Sequence, residues 1–207
     1  MPEGPEVFAL AAALKALGTP AVSYGKHLFL PHLQEDWSFG LSGRVALHDG
    51  VLTKVKAGLV NGRVDAARSI SDVVNTHTLG VDWLTAPAAA LQRVVRGWGR
   101  SRKSLAALLL DQAEIAGVGV AWGSEVLAAA GLDPRSSAVS QAPHLERLAE
   151  ALVRTRTAAL EVYRNYVARS DAEAVVNGWF RNLYGIRRMA VYKIGEPVVV
   201  AGRKWWV

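Results

Sequence analysis

The chain of 207 residues contains no cysteine, so disulfide bonds and thiolate zinc sites are excluded. It shows no secretory signal pattern, because acids stand near its start and the apolar residues there are periodic. It has no apolar run of membrane-spanning length, no internal repeat and no low-complexity tract. On these grounds a cytosolic protein is expected. The five histidines, His27, His32, His48, His77 and His144, have no paired spacing of a metal site, so no metal site is expected.

What is present suits a globular protein. Hydrophobic residues make up 51% of the chain, enough for one large core or two small ones. Lys and Arg number 24 against 18 Asp and Glu, a net charge of +6 with a pI near 9.8. Such a balance favours a polyanionic partner without separating DNA from RNA or a membrane surface.

The opening residues Met1-Pro2-Glu3-Gly4-Pro5-Glu6 carry chemistry. Removal of Met1 would leave Pro2 as a secondary amine, and such an amine attacks an aldehyde-like carbon to form an iminium ion, an electron sink for elimination. An α-amino group also titrates near neutrality, unlike an ordinary lysine. Glu3 can move protons on and off the reacting group. Pro5 and Glu6 suit a first helical turn, and Val7, Leu10, Leu14 and Leu17 follow at helical spacing, with the acidic end pointing out. The same residue types also begin ordinary helices, so composition alone leaves both readings open.

Beyond this helix, residues 27–30, 44–48 and 51–55 read as strands, the last two joined by Asp49-Gly50, a tight-hairpin signal. Residues 1–83 form an expected helix-and-sheet domain, with Thr85-Ala86-Pro87 as a linker. From Leu91 the pattern is helical to about 187. Leu105, Leu108, Leu109 and Ala113 mark one face, and Val126, Leu127 and Ala130 mark another, closed by Gly131 and Pro134. A long helix is expected over about 145–167 with Leu145, Leu148, Leu152, Ala159, Val162 and Tyr166 on one face. Residues 188–207 read as short strands at 189–192, 198–200 and 204–207.

Two further segments point to phosphate binding. Gly117-Val118-Gly119 between helices would expose N–H groups at a helix N-terminus, although the glycines also suit plain close packing. Arg93, Arg96, Arg100, Arg102 and Lys103, with Trp98 among them, make the densest basic stretch.

The string Pro2-Glu3-Gly4-Pro5-Glu6 before an apolar helix resembles the N-terminus of the formamidopyrimidine-DNA glycosylase and endonuclease VIII family. The segment Leu108 to Gln112, Ile115 to Gly119, Ser124 to Leu127 and Ala130 to Pro134 resembles that family's helix-two-turn-helix. The resemblance implies an α+β fold: an N-terminal helix with a reduced β-sandwich-like sheet domain, then a helix-two-turn-helix domain with a C-terminal hairpin. It implies a bifunctional DNA glycosylase and abasic-site lyase of base excision repair, acting through Pro2, Glu3, Glu6 and Lys26 on damaged or abasic double-stranded DNA, with no metal or organic cofactor required. Gly117, Gly119, Arg100, Arg102, Lys103 and Arg203 would contact phosphate. A cytoplasmic, nucleoid-associated monomer is expected.

The sequence departs from the family pattern in four places. Val120 stands where an asparagine is usual, and Phe39 where a histidine is common. Only the seven residues Thr19 to Gly25 separate the first helix from the Lys26 turn, which implies a reduced sheet and leaves no mapped residues to fill the gap of an everted base. Residues 191–197 and 202–206 resemble the ends of the zinc finger hairpin without its cysteines, so cross-strand packing by Tyr192, Val199, Trp205 and Trp206 would have to hold it. A noncatalytic or structure-specific binder of damaged, nicked or branched DNA is the alternative.

Overall fold

The computed structural model describes residues 3–38, 44–48, 51–55, 64–185, 189–200 and 202–207. Pro2, Phe39, Asp49 and Gly50 lie outside the described residues. The fold is mixed α+β, as expected, and divides into two compact units, Met1–Thr78 with Leu160–Arg187 and Leu79–Ala159 with Arg188–Val207.

The first unit begins with α1 (Gly4–Ala16). Val7, Leu10 and Leu14 are buried, but so are Ala9, Ala11 and Ala13, so the helix is covered nearly all round. Leu17 is the C-cap beyond the helix and is exposed. The acidic end does not point to solvent, since Glu3 and Glu6 are 4% and 1% exposed. Strands β1 (Val22–Tyr24), β2 (His27–Leu30), β3 (Glu35–Ser38) and β6 (Val64–Ala66) form an antiparallel sheet in the order β1-β2-β3-β6. The expected strands β4 (Arg44–His48) and β5 (Val51–Val55) pair separately, with His48 opposite Val51.

Helix α2 (Ile70–His77) was not legible as a helix among the strands. Its cap signal lies in Ser69, whose hydroxyl accepts from the Asp72 N–H at 3.2 Å. The unit is completed by the end of α6 (Leu145–Arg169) and by α7 (Ala172–Gly185). Helix α7 packs on α1 and β4, and Asn177 accepts from the Leu47 N–H at 2.8 Å. This packing is why the expected helical domain 91–187 is divided, with residues 160–187 joining the amino-terminal unit.

In the second unit, α3 (Ala88–Gly97) begins directly after Pro87, so the linker is short. A single 3-10 turn at Trp98–Arg100 leads toward α4 (Leu105–Leu110). Two-residue strands β7 (Val81–Asp82) and β8 (Ile115–Ala116) pair in parallel, and α5 (Val120–Ala130) ends at Gly131 in the left-handed region, φ 61°. Along α6 the buried side chains are Leu145, Leu148, Ala149, Ala151, Leu152, Ala159 and Tyr163, not Val162 and Tyr166. The stripe turns to Tyr163, whose hydroxyl donates to the buried Glu6 carboxylate.

The chain closes with β9 (Pro197–Val200) and β10 (Arg203–Trp206), antiparallel with Lys204 opposite Val199 and Trp205 opposite Val198. The expected strand at 189–192 is a loop, because its N–H groups bond to a side chain rather than to a strand. This segment is no separate domain, since Trp205 is fully buried and β10 packs on α5.

Candidate functional site

The first cluster of interest stands at the N-terminus of α1. Glu3 is the N-cap, and the Glu6 carboxylate accepts from the Glu3 backbone N–H at 2.7 Å, the reach-back bond of a capping box. The other Glu6 oxygen accepts from the hydroxyl of Tyr163, a residue 0% exposed. Both oxygens of Glu6 are thus engaged, which fixes the carboxylate as an acceptor beside the peptide joining Pro2 to Glu3. A buried carboxylate persists only with such partners, because leaving water costs it several kcal/mol. Sequence reading missed Tyr163, and its distance of 157 positions from Glu6 explains why.

Lys26 sits at the tip of the β1–β2 hairpin, where Tyr24 pairs with His27 around a two-residue turn. Gly25 has φ 55°, which the first central position of such a turn requires. Helix α1 packs against both β1 and β2, the strands that carry Lys26.

In the second unit, the turn before α5 is held by one side chain. Gln112 accepts from the Gly117 N–H at 2.9 Å and donates to the carbonyls of Leu110 and Val118, each at 3.0 Å. Gly117 itself has φ 103°, which favours glycine. Gly119 is the N-cap of α5 and offers no side-chain cap, so this helix start presents backbone and apolar Val120.

The terminal hairpin is anchored by polar and aromatic contacts. The Glu125 carboxylate accepts from the N–H groups of Ala190, Val191 and Tyr192, all at 2.8 Å. The Trp206 backbone N–H donates to the Ser124 hydroxyl at 3.2 Å, and the Trp206 ring meets Tyr192 edge-on at 4.6 Å. Trp205 lies against Gly123, where a Cβ would come within 2.9 Å of the indole. Val199 takes no part, being 66% exposed. Arg203 is exposed on β10.

The basic stretch is not uniform. Arg96 is bonded to Glu146 at 2.8 Å, which holds the guanidinium above and the carboxyl below their usual ranges. Lys103 pairs with Asp111 at 3.3 Å while remaining 60% exposed. Arg100 and Arg102 are exposed and make no ion pair among the described residues. Arg93, Trp98, Ser101, Lys103 and Glu114 line a cleft of about 360 Å³.

Two of the histidines that show no pairing in sequence meet in space. His27, Asp36 and His77 bring their donor atoms within 4.8 Å of one another.

The two units together define an α+β fold of the formamidopyrimidine-DNA glycosylase (Fpg) type. The chain is similar to the MutM (Fpg) protein of Thermus thermophilus, with 22% identity and a TM-score of 0.73 over 99% of this chain and 96% of that one. It is also similar to Lactococcus lactis Fpg bound to DNA with an abasic site, 14% identical with a TM-score of 0.70, over 99% and 97% of the two chains. The same L. lactis protein with N7-benzyl-Fapy-dG DNA gives 15% identity and a TM-score of 0.67 over 99% and 97%. No protein-family model and no curated protein matches the sequence, so the likeness is one of fold.

Proposed function

We propose that the protein is a DNA repair glycosylase with abasic-site lyase activity. The observation that carries this reading is the buried Glu3, Glu6 and Tyr163 chain that begins at the residue following Pro2 in the sequence, in a fold shared with Fpg proteins seen on lesion and abasic-site DNA. With Met1 removed, the Pro2 amine bonds to C1′ of a flipped-out nucleotide as the base departs with its bonding pair. Glu3 protonates the sugar ring oxygen, which opens the ring and leaves an iminium ion. Loss of a C2′ proton to a base then expels the 3′ phosphate, which cuts the strand. Water releases Pro2. Glu6 acts through the backbone N–H it holds, as a positioning residue.

In this reading Lys26 meets the damaged strand and the backbone at the start of α5 beside Gly119 receives phosphate, while Gly117, whose N–H is held by Gln112, shapes the turn. Arg100, Arg102 and Arg203 add positive charge, with Lys103 shared between Asp111 and DNA. The protein would act on double-stranded DNA as a monomer, nucleoid-associated in the cytoplasm. No helix among the described residues is long and apolar enough to cross a membrane.

Borohydride reduction during reaction with an abasic duplex tests the proposal. Wild-type protein is expected to form a covalent adduct, and Pro2→Gly to lose most of it. A wild type with a free Pro2 amine that never traps overturns the lyase reading. Tight binding without strand scission would instead support a noncatalytic, structure-specific DNA binder, a reading favoured by the missing side-chain donor at Val120.

A further inference from the structure

A second cluster in the first unit has no part in the elimination chemistry. Asp36 and Asp65 are directly opposite each other on β3 and β6. Like charges in directly opposed positions destabilise a sheet, and the Asp36 side chain is only 1% exposed. Such an arrangement persists when positive charge sits between the carboxylates.

The groups that converge on Asp36 are two imidazoles. His27 pairs with Ser38, so it is a diagonal neighbour of Asp36 across β2 and β3, and its Nδ1 lies 2.8 Å from Asp36 Oδ2. His77, the last residue of α2, places Nε2 at 2.9 Å from the same oxygen and 3.7 Å from Asp65 Oδ2. The imidazole side chains are 12% and 19% exposed.

Protonation of both histidines is a poor account of this cluster. The two rings are 4.4 Å apart, tilted by 35°, so two imidazolium charges would repel at short range. His77 Nε2 is buried and close to Asp36, yet it makes no aligned hydrogen bond among the described residues. Asp36 Oδ1 is likewise buried without a hydrogen-bond partner among them. Two donor atoms that are close, buried and unsatisfied match a shared ion better than a hydrogen-bonded triad.

We propose that His27, Asp36 and His77 form a divalent transition-metal site, with zinc as the best fit and Asp65 or water as the fourth ligand. Imidazole and carboxylate donors suit zinc, at about 2.0–2.2 Å from the ion. A tetrahedral site sets such donors about 3.3 Å apart, so the two short contacts to Asp36 would open by a few tenths of an ångström on binding. The ion would offset the opposed aspartates and tie β2, β3 and the end of α2 together. His27 immediately follows Lys26, so the metal would also stiffen the hairpin that carries it. The role is structural, and it does not depend on the lyase reading.

The test uses untagged full-length protein stripped with chelator, dialysed and titrated with zinc chloride. One equivalent is expected to bind, with a rise of several degrees in the melting temperature, and cobalt(II) is expected to give the visible absorption of a four-coordinate site. His77→Gln, at a partly exposed helix end, should keep the circular dichroism of the stripped wild type and lose the zinc-dependent rise. Asp36→Asn should lose both the rise and the cobalt spectrum. Failure of the wild type to bind stoichiometric zinc overturns the proposal. So does unaltered binding by folded His77→Gln and His27→Gln. Borohydride trapping by the stripped protein reports on Pro2 separately, so the two proposals can fail independently.

Discussion

Among the described residues, the unit built on α1 and the four-stranded sheet buries three carboxylates, whereas the unit built on α5 and the terminal hairpin buries one. Glu3, Glu6 and Asp36 are each at most 4% exposed, while Asp82 is the one buried carboxylate among the described residues of the second unit. Asp82 serves its own turn, accepting from the Leu84 N–H and the Thr85 hydroxyl at 3.2 and 2.6 Å. In the proposed reading, the contrast between buried Glu3 and Glu6 and the exposed arginines suits two kinds of work. Proton transfer at a reacting carbon needs an acid held within about 3 Å of its target, which burial and fixed partners supply. Phosphate attraction needs cations that keep their reach and release counterions, which exposure supplies.

The most direct way to break this contrast is Glu3→Gln. Glutamine keeps an oxygen at the N-cap, so the helix start survives, but it is neither acid nor base. Single-turnover scission of an abasic duplex should slow by about 10²–10⁴-fold, with affinity for an uncleavable abasic analogue nearly unchanged. A loss of affinity as large as the loss of rate would reduce Glu3 to a structural cap. Tyr163→Phe should fall between this variant and wild type, because it frees one oxygen of a carboxylate that acts only through the Glu3 backbone.

What the sequence made legible depended on how local each interaction was. The strands 27–30, 44–48 and 51–55 form at their expected bounds because alternation and turn residues lie within the same few positions. Glu3 and Glu6 are three residues apart, so their mutual bond belongs to a helix start. Their burial was not legible, because it comes from distant chain: α7 packs on α1, and Tyr163, 157 positions from Glu6, donates to its carboxylate. Glu125 reads as one more polar residue on α5, and only the return of the chain 65 to 67 positions later turns it into a clamp. His27 and His77 show no metal spacing because the ligands come from two strands and a helix end. The α2 cap at Ser69 and Asp72 was local and available, but neighbouring strand signals outweighed it.

Glu125→Ala removes the second unit's strongest polar anchor while leaving the first unit intact. It leaves three N–H groups without their carboxylate, and since Ala190 is exposed and can turn to water, a stability loss of about 2–3 kcal/mol is expected. Urea unfolding measures this loss, and hydrogen exchange at 190–192 should rise well before global unfolding. Unchanged exchange would mean that Trp205 packing alone holds the hairpin.

The smallest effect sharpens the contrast within the basic stretch itself. Arg102 makes no ion pair among the described residues, whereas Arg96 is already bonded to Glu146. Arg102→Ala should therefore weaken duplex binding several-fold across all sequences and reduce the slope of log affinity against log salt by about 1. Arg96→Ala removes the same formal charge but also frees Glu146. Its salt slope should change little if Arg96 spends its charge on that carboxylate, even though overall affinity falls slightly through net charge. Equal slope changes in the two variants would mean that DNA draws Arg96 away from Glu146, and that the whole stretch behaves as one phosphate-binding surface rather than as two classes of arginine.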